Sequence, residues 1–529
     1  MPEPSYPRPA DLSPLPSREG ARGRGIHLGI HLTILSTLTL LSTPVFADDN
    51  MDDVLGEFET LDSFEDVETS GETVDPYAWD FGGSLSVSAG YNLEDHASST
   101  DTDYSGLSKL RARVNLSLDK KFSNDWRISL NGYAWHDFAY EIQDEAYTDD
   151  VLDEYETQAE IMDAYVQGKL GERWDLWVGR QVAVWGFADN LRVLDVLNPL
   201  DNLEPAIADI EDLRRPVGML RLNHFRGPWT LGLYAIPEQR FSRNPPFGSD
   251  FYTITDANGQ AVKFREEQPD DFDEIDYAAS LVGRFSGWDL SFNAARQWYD
   301  EPYLDPRAFD VNDPNASNDT FNESVVLRHS RITMGGFGVQ KTWGSWLFKQ
   351  EAAVYDGLLL TNTGPVTVNA PLPLIGTLPI IGPLLPGASV DVVIPHDVSE
   401  HRQANLLLGV EYYGFTSTSI GIEIAGRYLD DFNDEVAASG YVEKRTESSL
   451  RVTRDFLREK LRSTLVLIFF DQDRLGKDGG AIYRLNLDYE LGPALELSGG
   501  AVFYDGGDQQ PFGLWTDNDR VFTEIKWSF

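Results

Sequence analysis

Cysteine is absent from the 529-residue chain. That removes disulfides, thiolate zinc sites and cysteine nucleophiles together, and it suits a protein exported into an oxidising compartment. Basic residues are scarce: 43 Lys and Arg stand against 86 Asp and Glu, a formal net charge of −43. Such a balance cannot neutralise a phosphate backbone, so nucleic acid is excluded as a partner. Solvated acidic loops account for most of the bias; the functional reading of the same charge is cation bridging to lipopolysaccharide. Beyond residue 47 there is no run of about 18 uncharged apolar residues at helical composition, so helices are not expected to cross a membrane. Catalytic signatures are missing as well. No Gly-x-Ser-x-Gly, His-Glu-x-x-His or phosphate loop stands in a supporting context. His136, His224, His329, His396 and His401 are scattered along the chain. The expectation is no enzyme, no metal and no cofactor.

What is present is alternation. In Leu107–Asp119 the apolar set Leu110, Ala112, Val114, Leu116 and Leu118 is opposed by Lys109, Arg111, Arg113, Asn115, Ser117 and Asp119. The pattern recurs in Trp126–Asp137, Ser419–Leu429 and Tyr483–Leu491. A period of two marks strands with two unlike faces. Apolar residues on one face and charged ones on the other suit a strand that meets lipid outside and water inside. Connections alternate too. Short turns at Lys120–Asp125, Gly171–Arg173, Arg226–Pro228, Ser286–Gly287, Trp343–Ser345, Gly414–Phe415 and Gly492–Pro493 separate long segments at 92–106, 138–158, 186–216, 237–275, 299–328, 357–402, 430–442 and 506–519. This predicts an all-β transmembrane antiparallel barrel of about 18 strands, in a range of 16 to 18, with short periplasmic turns and long extracellular loops.

Both ends carry addresses. Arg18, Arg22 and Arg24 precede an apolar run, Ile26–Phe46, that ends in Val45-Phe46-Ala47. This reads as a signal peptide over 1–47. An acidic periplasmic segment over 48–79 follows, with Val54, Leu55, Phe58, Leu61 and Phe64 at helical spacing. The barrel is expected over 80–529. At the far end Val521, Thr523, Ile525, Trp527 and Phe529 share one face, the pattern of a terminal strand read by the barrel-insertion machinery.

Three groups of residues are candidates for function. Arg111, Arg113, Arg127, Glu423, Arg427, Arg451, Arg484, Glu490 and Glu524 fall on the charged faces and are expected to line the lumen. The long loop 186–216 carries Asp195, Asp201, Asp209, Glu211, Asp212, Arg214 and Arg215. It is expected to fold inward as a constriction, its acids facing the strand arginines across a transverse field. The competing reading is charge pairing that only satisfies a wet interior. The segment 362–395 has no charge before Asp391, and its prolines forbid a helix. Its Leu372, Leu374, Ile375, Leu378, Ile380, Ile381, Leu384 and Leu385 are read as a hydrophobic gate, a plug or slide for a lipophilic substrate; the competing readings are a loop folded inward only for its own stability and a partner-binding surface.

The stretch Gly179-Arg-Gln-Val-Ala-Val-Trp-Gly186, followed by Asp195-Val-Leu-Asn-Pro-Leu-Asp201, resembles a family of large proteobacterial outer-membrane barrels of uncharacterised function. The chain departs from that pattern at Phe187, where the family often carries an acidic or polar residue. The resemblance implies partnership with an inner-membrane exporter of the resistance-nodulation-division type and an outer-membrane lipoprotein, and traffic in hydrophobic compounds. The reading is thus an outer-membrane channel for lipophilic or amphipathic small molecules. The alternatives are a porin for small hydrophilic solutes and a non-transporting scaffold or adhesion barrel.

Overall fold

In the computed structural model the described residues are 79–529, apart from 95–97, 99, 123–124, 256–259, 273, 311–320, 322, 369–389, 472–478 and 508–514. The signal-peptide and acidic-segment readings, and all eight residues of the hydrophobic gate, lie outside them.

The expected barrel is there. One sheet holds 18 antiparallel strands, each paired with its neighbour along the chain. The last, Arg520–Ser528, pairs with the first, Trp79–Asn92, through a register running from Ser84↔Ser528 to Asn92↔Arg520. No edge is left unpaired, so every strand's backbone polar groups are satisfied within the sheet. Phe529 completes the seam: its N–H donates to Gly83 O and its carbonyl accepts from Gly83 N–H, both at 2.9 Å.

Alternation explains the outer surface. Leu85, Val87, Leu130, Leu220, Leu408, Ile422, Ile424 and Ile525 project outward and stay exposed. An apolar belt of this extent would aggregate in water and is at home in a bilayer. At the short-turn end it is bordered by exposed aromatics, among them Trp79, Trp174, Trp288, Trp343, Trp346, Phe415 and Trp527. Rings that are apolar in body and polar at the rim favour a membrane interface.

Two features differ from the expectation. The segment 357–402 is not all loop: strands Trp346–Val368 and Val390–Phe415 continue far into it. They keep pairing through irregularities at Asp356/Leu358 and Asn362/Thr363, which shift the faces and hide the period. The interior is not uniformly wet either. Inward residues Met219, Tyr234, Ala278, Ala295, Met334, Ala353, Tyr355, Leu407 and Ala425 form a dry core with Ala183, Trp185, Leu191, Val193, Leu194 and Leu197 of the long third loop. A barrel this wide cannot fill itself with strand side chains, and an inserted loop supplies the missing volume.

A small separate sheet sits among the loops. Arg265–Glu267 pairs in parallel with Val326–Arg328, which pairs antiparallel with Tyr303–Asp305.

Candidate functional site

The loop between strands Trp174–Gln181 and Val217–Arg226 crosses the barrel interior and is held there by strand side chains. Glu351 accepts the backbone N–H groups of Phe187, of Ala188 at 2.9 Å and of Leu194 at 3.2 Å. Glu423 accepts those of Asp189 at 2.7 Å, Asn190 at 3.0 Å and Leu191 at 3.2 Å. Lys349 donates to Asp189 at 2.8 Å, and Tyr355 Oη donates to Val193 O at 2.6 Å. Two carboxylates thus satisfy a run of backbone donors that no secondary structure pairs. Further along, Asp209 bridges Arg451 at 2.8 Å and Arg484, on strands Lys444–Phe456 and Leu461–Asp471's neighbour Ala481–Gly492. Glu204 pairs with Lys109 and, at 3.1 Å, with Arg111. Burial opposes the Glu204 charge, but the two cations outweigh it and draw its carboxyl down to about 2.

The motif that prompted the family resemblance builds this loop. Gly179 has φ +126°, and an added Cβ would stand 2.1 Å from Ala164 O. Gly186 has φ +91°, and a Cβ there would meet Glu351 Oε1 at 2.5 Å. Only glycine admits both the backbone angle and the approach of the anchoring carboxylate. Asn198 is fully buried; its Oδ1 accepts Ala183 N–H at 2.7 Å and its Nδ2 donates to Arg215 O at 2.9 Å, tying the loop's two ends together. Trp185 packs edge-on against Tyr234.

The loop divides the interior. Along one face, against strands Trp79–Asn92, Gly106–Lys121, Trp126–Asp137 and Thr157–Lys169, lie two cavities of about 520 and 570 Å³. They share Ser84, Arg113, Asn115, Tyr133, Met162 and Asp212 as common walls. Tyr133 stacks on Trp135 with centroids 4.8 Å apart and planes at 11°. The Arg113 guanidinium lies 4.2 Å above the Tyr133 ring, and its Nε donates to Asn115 Oδ1 at 2.8 Å. Among the described residues Arg113 forms no ion pair, and it lines both cavities. Burial raises the Asp212 carboxyl, which lines the same space. A third cavity, of about 630 Å³, lies along the loop's other face beside Arg192, Val196 and Leu200.

The predicted lumen residues occupy several settings. Arg113 and Glu524 line the cavities, as does Arg111, which also pairs with Asp137 at 3.2 Å. Arg127 pairs with Asp119 at 2.8 Å near the short-turn end. Glu423 anchors the loop, Arg427 pairs with Glu447 at 2.9 Å, and Arg451 and Arg484 hold Asp209. Glu490 is exposed, opposite Glu496 in register. Of the loop acids expected to face strand arginines, Asp209 does so. Asp195 instead pairs with the loop's own Arg214 at 2.8 Å and Arg192 at 3.4 Å, because the chain doubles back on itself there. Asp201 pairs with Arg243 of the following loop at 3.2 Å, and Arg215 with Glu160 at 3.0 Å. Glu211 and Asp212 line the passage. Sequence reasoning did not single out Glu351, Tyr133 or Trp135. A lone acid at an inward position, in Lys349-Gln-Glu351-Ala, was the available signal for the first.

Comparison with solved structures returns bacterial barrels. Pseudomonas aeruginosa OccK2 (OpdF), crystallised in complex with glucuronate, is 11% identical with a TM-score of 0.46, over 85% of this chain and 98% of that one. Acinetobacter baumannii OccAB1 is 10% identical with a TM-score of 0.44, over 87% and 99%. Pseudomonas aeruginosa OpdK with vanillate is 8% identical with a TM-score of 0.41, over 85% and 98%. Likenesses this distant assign no solute. No curated protein matches the chain. The model of a family described as a protein of unknown function, DUF1302, matches residues 29–529, and the chain belongs to that family.

Proposed function

We propose that this chain is an outer-membrane channel of the Gram-negative envelope. It passes small amphipathic solutes, an oxyanion joined to a flat or apolar body, along the face of the inward loop. The observation that carries the reading is Arg113: without an ion pair among the described residues, lying on the stacked Tyr133–Trp135 pair, and common to both cavities of that face. A guanidinium over an aromatic platform offers charge to an anion and a flat surface to its body at one place. The apolar outer belt and the closed sheet supply the membrane setting.

The dry core that the loop forms with the strands narrows the interior and favours a selective path over a general porin for hydrophilic solutes. The apolar gate around Leu372–Leu385, the signal peptide, insertion through Phe529, and delivery by an exporter with a lipoprotein partner belong to the same proposal. The chemistry requires no catalytic group. Planar-bilayer recording tests it. Discrete conductance steps that benzoate blocks, and that Arg113→Ala frees from block, are expected. Silence in the wild type and after deletion of 366–388 would instead support the scaffold.

A further inference from the structure

The cavity of about 630 Å³ on the loop's far face is built from charges that do not cancel in place. Glu447 accepts from two arginines, Arg427 at 2.9 Å and Arg445 at 3.0 Å, which leaves positive charge in excess on that side. Asp300 and Glu301 follow each other in the loop after strand Trp288–Trp298. Asp300 accepts from Ser242 alone, from its hydroxyl at 3.1 Å and from its backbone N–H, and among the described residues neither acid is ion-paired. Arg192, the cation nearest to them, is already committed to Asp195 at 3.4 Å and Asn198 O at 2.9 Å. Asp300 is half-buried and Glu301 exposed at the cavity, and burial pushes the Asp300 carboxyl up from the ordinary carboxylate range. Among the described residues a further acceptor lacks a donor. Gln297 lines the cavity at 7% exposure, donates its Nε2–H to Val196 O at 2.7 Å and leaves Oε1 unpartnered. Other parts of the wall are aromatic. Tyr299 meets Tyr355 edge-on with centroids 6.2 Å apart, and the Arg445 guanidinium lies 5.3 Å over Phe470.

Carboxylates without an ion pair, two arginines sharing one carboxylate and aromatic walls suit a ligand that is itself a dipole. We infer that this cavity binds a zwitterionic organic solute, with its ammonium at Asp300 and Glu301, its anionic group at Arg445, and its apolar body against Tyr299, Tyr355 and Phe470. A lone anion meets the unpaired acids and a lone cation meets the surplus arginine charge, so each is disfavoured against the dipole. The inference does not require the passage on the opposite face to conduct.

Titration calorimetry on the purified full chain in detergent tests it with three probes that share one body: phenylalanine, phenethylamine and 3-phenylpropionate, at pH 7. Phenylalanine is expected to bind at least about tenfold tighter than either singly charged probe, since two charge-assisted contacts are made in place of one. Glu301→Gln should weaken phenylalanine and narrow its lead over 3-phenylpropionate; Arg445→Gln should narrow its lead over phenethylamine. Heat-modifiable migration on gels checks that each variant keeps its barrel, and Arg445→Gln carries the test alone should Glu301→Gln misfold. Failure of phenylalanine to bind, equal binding of the three probes, or wild-type affinities in a folded variant would overturn the inference.

Discussion

The carboxylate of Glu423 accepts the backbone N–H of Asp189 at 2.7 Å, joining a strand of the barrel wall to a loop 234 residues away in sequence. Glu351 does the same for Ala188 at 2.9 Å. Both acids are almost fully buried, so the interior loop is set by two points of charge as much as by its apolar contacts. Replacing either acid with alanine strands buried N–H groups, each worth about 1–3 kcal/mol when left unpaired. The double variant Glu351→Ala/Glu423→Ala is expected to release the loop and to give larger, noisier conductance steps than the wild type. Bilayer recording reads this directly; unchanged steps would mean the loop holds its place without them.

The opposite tip of the loop depends on Asp209, held by Arg451 and Arg484. Arg484 is nearly buried, with a side chain 5% exposed. Removing one partner of a buried ion pair costs about 3–5 kcal/mol because the other charge is left without compensation. Asp209→Ala should therefore lower the temperature at which the barrel loses its heat-modifiable migration. Replacing Lys169, whose contact with Asp125 at 3.3 Å is well exposed, should leave it unchanged.

Acidity should act on the loops in opposite directions. Burial raises the Asp519 carboxyl to about 6, although it accepts Tyr504 N–H at 2.8 Å. An unfolded aspartate titrates at about 3.9. Between these values the folded chain holds a proton that the unfolded chain has released. This contribution to stability is therefore complete below about pH 4 and is lost as pH rises through about 6. Melting temperature should fall between pH 5 and pH 7.5 in the wild type and fall less over that interval in Asp519→Asn. Glu204, drawn down to about 2, contributes stability above the ordinary range near pH 4.3 and loses it as pH falls through about 2, outside the interval.

Much of this architecture was legible in the chain, for a physical reason. Where a strand separates lipid from the interior, side chains must alternate. Leu107–Asp119 and Ser419–Leu429 show it and became strands Gly106–Lys121 and Thr418–Leu429. Where a strand leaves the bilayer the constraint lapses, and the outer reaches of Trp346–Val368 and Val390–Phe415 read as loop. The small separate sheet was illegible because Arg265–Glu267 and its partners are three residues long, too short to display a period. The inward loop was signalled by its length and acids, but its partners were not. Pairing Glu351 with backbone donors more than 150 residues away is a fact of three dimensions that no local pattern encodes.

Because the native chain has no cysteine, a single introduced one reports without background. Ser117 lines the cavity on the passage face near the short-turn end, while Val87 is half exposed on the outer belt. The most direct test is to record Ser117→Cys and Val87→Cys in planar bilayers while adding a negatively charged, membrane-impermeant thiol reagent. The account predicts a stepwise fall in conductance for Ser117→Cys and none for Val87→Cys. Conductance in Ser117→Cys that persists after its complete modification would contradict it.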